Sequence, residues 1–142
     1  MPTNTIRESV IDAVTTAVGT ITTVGGRIYR SRVSAFTRAE SPAILITPIS
    51  DTPDEPVIPK IGWTLLLRIS VLARGDEPDA IADPICKLIH DKIIQNATLQ
   101  SLCVGMEPDA VTFNILDADK PAIVVNNDFR FRYQTSFTDI SV

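Results

Sequence analysis

The chain has 142 residues, 13 basic and 17 acidic side chains, a formal charge of −4 and a hydrophobic fraction of 44%. That length fits one domain able to bury a core, and the composition excludes a collagen-like, mucin-like or globally disordered chain. The acidic balance excludes a general nucleic-acid coat, which needs a broad basic surface, but not a local basic patch.

The N-terminal segment reads as a helix. Ile6, Val10, Ala13, Val14, Ala17 and Val18 recur at three- and four-residue spacing and make one stripe. Thr5 and Glu8 have the spacing of a capping box. Gly19 is expected to close the helix in a left-handed conformation. A Thr-rich stretch then ends in a turn at Gly25-Gly26. Strands are predicted over Arg27 to Val33 and over Ala43 to Thr47.

Ser50 to Lys60 carries Pro53, Pro56 and Pro59 among Asp51, Asp54 and Glu55. Proline lacks the amide a central strand needs, so this stretch is expected to be an extended loop or projecting arm. Trp63 to Arg74 is the cleanest strand. Trp63, Leu65, Leu67, Ile69, Val71 and Ala73 alternate with Thr64, Leu66, Arg68, Ser70, Leu72 and Arg74. One face lies in the core and the other is partly wet.

Gly75-Asp76-Glu77-Pro78-Asp79 opens a second helix, its acids suited to the positive end of the helix dipole. Ile81, Ile85, Leu88, Ile89 and Ile93 form its expected buried stripe. Pro84 either starts the regular helix or kinks a longer one. A helical turn follows at Thr98 to Leu102. Val111, Phe113 and Ile115 then alternate in a strand, Asp117 to Pro121 is a turn, and Ile123 to Phe137 is a long strand. On that strand Phe129, Phe131 and Tyr133 read as core, on the face opposite Arg130 and Arg132. The pattern predicts an α+β fold: an antiparallel β-sheet packed with two main helices, one compact domain over residues 1–142 with a projecting Pro-rich arm at 50–60.

The search for chemistry finds little. His90 is the one histidine and is expected on the helix surface, with no nucleophile elbow to serve. Cys86 and His90 are spaced i, i+4, but with Cys103 they fall short of a structural zinc set, so no metal is expected. Gly25-Gly26 precedes a strand, and the chain carries neither a Walker A run nor Gly-x-Gly-x-x-Gly, so no nucleotide cofactor is expected. Asp76, Glu77, Asp79 and Asp83 read as helix-start acids rather than catalytic carboxylates. Arg27, Arg30, Arg32, Arg38, Arg68, Arg74, Arg130 and Arg132 read as a solvated face rather than a nucleic-acid groove. No catalytic residue is assigned, and a non-enzyme is expected.

Two cysteines do not make a disulfide framework and suit reduced thiols. No apolar run reaches the roughly 18 residues of a membrane span, and the first residues lack a signal-peptide core. The chain is expected to be made in the cytoplasm and used or assembled there, with no membrane partner. Acidic and Arg-rich surfaces in one chain suit head-to-tail self-association.

In its order of segments the sequence resembles the phage tail terminator proteins, the family that includes the minor tail protein U of lambda-like phages. The segments are the helix through Val18, Arg27-Ile28-Tyr29-Arg30-Ser31-Arg32, Ser41-Pro42-Ala43-Ile44-Leu45-Ile46, Trp63 to Arg74, Asp79-Ala80-Ile81-Ala82-Asp83, and Phe131-Arg132-Tyr133-Gln134-Thr135. The resemblance implies a small α/β virion protein of the tail, assembled in the host cytoplasm as a homo-oligomer. It implies a hexameric ring that caps the tail tube protein, ends tail polymerisation and docks the head-neck completion protein, with DNA only passing through the lumen. The sequence departs from the family's pattern at the Pro/acidic arm, whose length is expected to vary, and at Pro84 inside the second helix. Arg30, Arg32, Arg130 and Arg132 on one side, and Asp51, Asp54, Glu55, Asp76 and Asp79 on the other, are the expected interface residues. Two other readings compete: a head-tail joining or neck protein, and a small cytosolic ligand-binding domain or enzyme.

Overall fold

A computed structural model describes residues 4–31, 41–54, 56–116 and 121–142 of the chain, with Leu116 described by its backbone alone. The elements are α1 (Ile6–Val18), a 3-10 turn (Thr22–Val24), β1 (Ile28–Arg30), β2 (Ala43–Pro53), β3 (Lys60–Arg74), α2 (Pro78–Ile94), α3 (Ala97–Leu102), β4 (Gly105–Leu116) and β5 (Ala122–Ser136). One five-stranded sheet runs in the order β1-β2-β3-β5-β4, and the helices pack on one of its faces. The fold is α+β, one compact domain.

Helix α1 starts as its sequence dictates, with the Thr5 hydroxyl accepting from the Glu8 amide at 3.1 Å. Val10, Ile11, Val14, Ala17 and Val18 are its buried stripe. Gly19 is not left-handed; its φ is −61°. The chain leaves the helix through tightened bonds from Thr20 to Ala17 and from Ile21 to Val18. In the turn that follows, Gly25 and Gly26 are left-handed, at φ 56° and 78°. There the chain reverses into β1, and a side chain would be strained.

The sheet is mixed rather than wholly antiparallel, because β1 pairs parallel to β2. The link between them, residues 31–42, has the dozen residues that a parallel crossover requires. Its residues 32–40 lie outside the described residues, and with them the end of the predicted 27–33 strand. The other pairs, β2–β3, β3–β5 and β4–β5, are antiparallel.

Strand β2 does not stop at Thr47 but continues through Pro48 to Pro53. Prolines are tolerated there because β1 pairs only with Ile44 to Ile46, so among the described residues the rest of β2 is a sheet edge. A register shift at Pro48/Ser50 absorbs the first of them. Residues 50–53 of the Pro-rich stretch are thus paired to β3, and residues 54 and 56–59 lie at the tip of a β2–β3 hairpin. Val57 and Lys60 exchange backbone bonds of 3.0 and 2.8 Å at the tip, and the Phe137 amide holds the Pro59 carbonyl at 2.7 Å.

The core lies between the sheet and the helices. Leu65, Leu67, Ile69 and Val71 of β3 meet Phe129 and Phe131 of β5, under Val10 and Val14 of α1 and Ile85, Ile89 and Ile93 of α2. Helix α2 begins at Pro78 and carries Pro84 in its interior, which decides between the two sequence readings. Its innermost N-terminal residue is Ala82, while Ile81 is exposed and reaches towards Gly75. The expected 117–120 turn lies outside the described residues.

Candidate interaction surfaces

The interface residues expected from sequence do not converge on one site. Arg30 stands at the β1 edge and is engaged within the chain. Its guanidinium forks onto Glu8 at 2.7 Å and reaches Asp12 at 3.1 Å, joining β1 to α1. The hydrogen bond from Arg30 holds the Glu8 carboxyl below its ordinary value. Arg32 and Glu55 lie outside the described residues.

Asp51 points into the protein from β2, its side chain 7% exposed. It accepts a short hydrogen bond from the Tyr133 hydroxyl and pairs with Arg7 of α1 at 3.3 Å. Tyr133 also stacks on Trp63, ring centroids 6.5 Å apart. Burial pushes the Tyr133 phenol up, and the adjacent Asp51 adds to that. Asp54 sits at the hairpin tip and its amide bonds the Gly62 carbonyl at 2.8 Å. Asp76 and Asp79 are exposed around the start of α2.

The sheet face away from the helices carries Arg68, Arg130 and Arg132, as strand alternation predicts. It is not a positive face. Arg68 forks onto Asp128 across the β3–β5 register, at 2.9 and 3.1 Å. Arg130 lies 3.5 Å from Glu107 and 3.3 Å from Asp109, and Arg132 lies 3.7 Å from the same Glu107. Each arginine meets a carboxylate, so phosphate binding would have to displace an existing pair.

Sequence reasoning missed an exposed apolar row on β4. Val111, Phe113 and Ile115 lie on the helix side of β4, in register with Asn127, Val125 and Ile123 of β5. The alternation predicts the strand and leaves its burial open; Phe113 is 67% exposed and its two neighbours are also exposed. Strand β4 is the edge, and α2 packs over β3 and β5. A groove of about 300 Å³ remains between α2 and β4, with Asp79, Asp83, Lys87 and His90 on its helix wall and Val111 and Phe113 on its strand wall. The His90 ring lies 6.2 Å from that of Phe129 in the groove. Cys86 also borders the groove, and burial pushes its thiol up. No signal inside the 111–115 segment distinguishes this arrangement from a buried strand. The information lies in how far α2 reaches.

Among the described residues no three His, Cys, Asp or Glu side chains gather in a metal-holding cluster, and no helix is long and apolar enough to cross a membrane.

No family model matches the chain, and no curated protein matches it. Among solved structures, the fold is similar to a chain of the virion of a native gene transfer agent (GTA) particle. The TM-score is 0.71 at 16% sequence identity, over 88% of this chain and 94% of that one. At that identity the likeness shows a shared fold.

Proposed function

We propose that the chain is a structural protein of a phage-like virion, and within it a tail terminator. On this reading copies form a ring on the end of the tail tube, stop addition of tube subunits, and offer the opposite rim to the neck. DNA passes through the lumen, and the ring makes and breaks no covalent bond. The observation that carries the reading is the likeness to a GTA virion chain, which takes in nearly the whole of both chains. The order of sequence segments supports the tail-terminator assignment. So does a surface that offers apolar patches at two separate places. On the same reading the exposed Asp76 and Asp79 serve contacts between subunits, Arg132 shares Glu107 with Arg130, and Arg30 and Asp51 act mainly inside each copy.

The test is genetic and visual. Inactivating the gene in a phage or prophage that carries it is expected to give overlong tails in electron micrographs. Tails of normal length without heads would instead make the chain a head-tail joining protein. The purified protein is expected to give rings in negative stain, and a sample that stays monomeric and turns over a small metabolite would end the proposal.

A further inference from the structure

Strand β4 is an outer strand of the sheet, and its far edge meets no other described strand. Its two halves differ. Residues 105–110 carry Glu107, Pro108 and Asp109 and a register shift at Pro108/Ala110, the devices by which a free edge avoids unwanted pairing. Residues 111–116, Val-Thr-Phe-Asn-Ile-Leu, carry neither charge nor proline. On the helix side of that half, Val111, Phe113 and Ile115 are 51%, 67% and 75% exposed. Two adjoining hollows follow this row and share Phe113 and Asp79: the groove beside α2, and a second hollow bordered by Pro78 and Pro121. The wall of this shelf is acidic. Asp79 and Asp83 are exposed and pair with no cation among the described residues, while Lys87 is held by Asp91 at 2.7 Å.

We propose that the 111–116 edge receives an added strand from another protein, one in which lysine or arginine alternates with apolar residues. The backbone sets the first half of that chemistry: a free edge offers a row of unpaired amides and carbonyls, which an extended chain fills in register. The shelf sets the second half. Side chains that the added strand turns towards α2 cross the apolar row before they reach Asp79 and Asp83. A long aliphatic stem with a cationic head suits that path, whereas a carboxylate would meet like charge. A second copy is a poor match. An antiparallel pair of two β4 edges would bring two acidic walls together. The other free edges among the described residues do no better: β2 beyond Ile46 carries Pro48, Asp51 and Pro53, and β1 commits Arg30 to Glu8 and Asp12. The strand site goes beyond the ring reading and does not need it. It gives Asp79 a contact with a different protein rather than with another copy.

The probe is an end-capped peptide of alternating lysine and valine, with the matching glutamate–valine peptide as its charge control. Fluorescence anisotropy at low salt is expected to show saturable binding of the lysine peptide and about tenfold weaker binding of the glutamate peptide. Hydrogen exchange is expected to slow in 111–116 when the lysine peptide is bound, and not in 48–53, the free part of β2. A fully N-methylated lysine peptide keeps the side chains and their charge but cannot donate to a strand, and is expected to lose the binding. Replacing both acids, Asp79→Asn with Asp83→Asn, is expected to weaken the lysine peptide by about three- to tenfold and to flatten its salt dependence. Should that variant lose wild-type circular dichroism, the N-methyl comparison on the wild-type chain decides instead. Equal binding of the lysine and glutamate peptides, undiminished binding of the N-methylated one, protection elsewhere than 111–116, or no binding at millimolar peptide overturns the proposal. So does protection of 111–116 in the chain alone, which makes the occupant a second copy. Light scattering on the peptide-free protein reads the ring separately. A single chain that binds the lysine peptide refutes the ring and leaves the strand site standing, and a ring that does not bind it does the reverse.

Discussion

Tyr133 of β5 and Asp51 of β2 reach each other across the strand between them, β3, and their hydrogen bond ties the base of the hairpin to the C-terminal strand. Arg7 adds α1 to the same carboxylate at 3.3 Å. The second oxygen of Asp51 is buried without a hydrogen-bond partner, so the carboxylate depends on the donors it has. Removing the hydroxyl in Tyr133→Phe is expected to cost about 1–3 kcal/mol, the range for leaving a buried polar group short of a partner. Arg7→Ala, at a side chain 41% exposed, is expected to cost less, about 0–1 kcal/mol. Urea unfolding of both variants checks the order. Equal losses would mean that Asp51 draws its support from the surface pair.

The same tyrosine contributes to an alkaline limit on stability. Burial, then Asp51, raises the Tyr133 phenol above its ordinary value of 10.0, and burial raises the Cys103 thiol from 9.0 to about 11. A raised pKa means that the unfolded chain releases its proton first. The stability these groups contribute is therefore whole below pH 9, and falls as pH rises through 9–11 for Cys103 and above 10 for Tyr133. Each fully unequal proton steepens the fall by about 1.4 kcal/mol per pH unit. Unfolding midpoints measured from pH 8 to 11 are expected to decline. Cys103→Ala is expected to flatten the part between 9 and 11, and Tyr133→Phe the part above 10. A profile that Cys103→Ala leaves unchanged would place the limit in other groups.

Much of the fold was legible because local chemistry and global packing agree. Thr5 caps α1 as its spacing predicts, and the alternation over Trp63 to Arg74 gives the buried face of β3 residue by residue. What was not legible depends on partners distant in sequence. Pro53 reads as a loop residue, yet sits in a strand whose outer neighbour, among the described residues, stops at Ile46. Arg30 reads as a free surface cation, yet Glu8 and Asp12, on a helix about twenty residues earlier, engage it. Phe113 reads as a strand residue of unspecified burial, and the reach of α2 leaves it exposed. In each case strand order decides, and strand order is not written in any one segment.

Across the centre of the sheet, Arg68 and Asp128 make the best-formed ion pair on the face away from the helices. The two bonds of 2.9 and 3.1 Å fix the guanidinium in the plane of the carboxylate. Asp128 is 6% exposed, so loss of its partner strands a charge with little water to replace it. Arg68→Ala is expected to cost about 2–3 kcal/mol. Arg68→Lys is expected to recover less than half of that, because an ammonium cannot offer the planar fork. Denaturant unfolding distinguishes the two. Full rescue by lysine would mean that only charge, and not the fork, matters at this pair.

Pro84 sits seven residues into α2, past the first turn, where a missing amide would be harmless. It has no N–H to give to the Ala80 carbonyl, and its ring crowds that carbonyl. Its side chain is exposed, so no core packing offsets the lost bond. The buried stripe of Ala82, Ile85, Ile89 and Ile93 keeps the helix in place across the break, as tertiary packing outweighs propensity. Pro84→Ala is therefore expected to stabilise the protein, by about 1–3 kcal/mol, raising the melting temperature by roughly 2–4 °C for each kcal/mol in a chain of this size. Hydrogen exchange is expected to slow in the 78–83 segment, which the proline partly uncouples from the rest of α2. Because Asp79 and Asp83 of that segment border the groove, the same substitution changes assembly if the groove needs a movable wall, and leaves assembly unchanged if the wall is rigid. A melting temperature that falls instead would show that the proline's fixed backbone angle contributes more to α2 than the bond it removes.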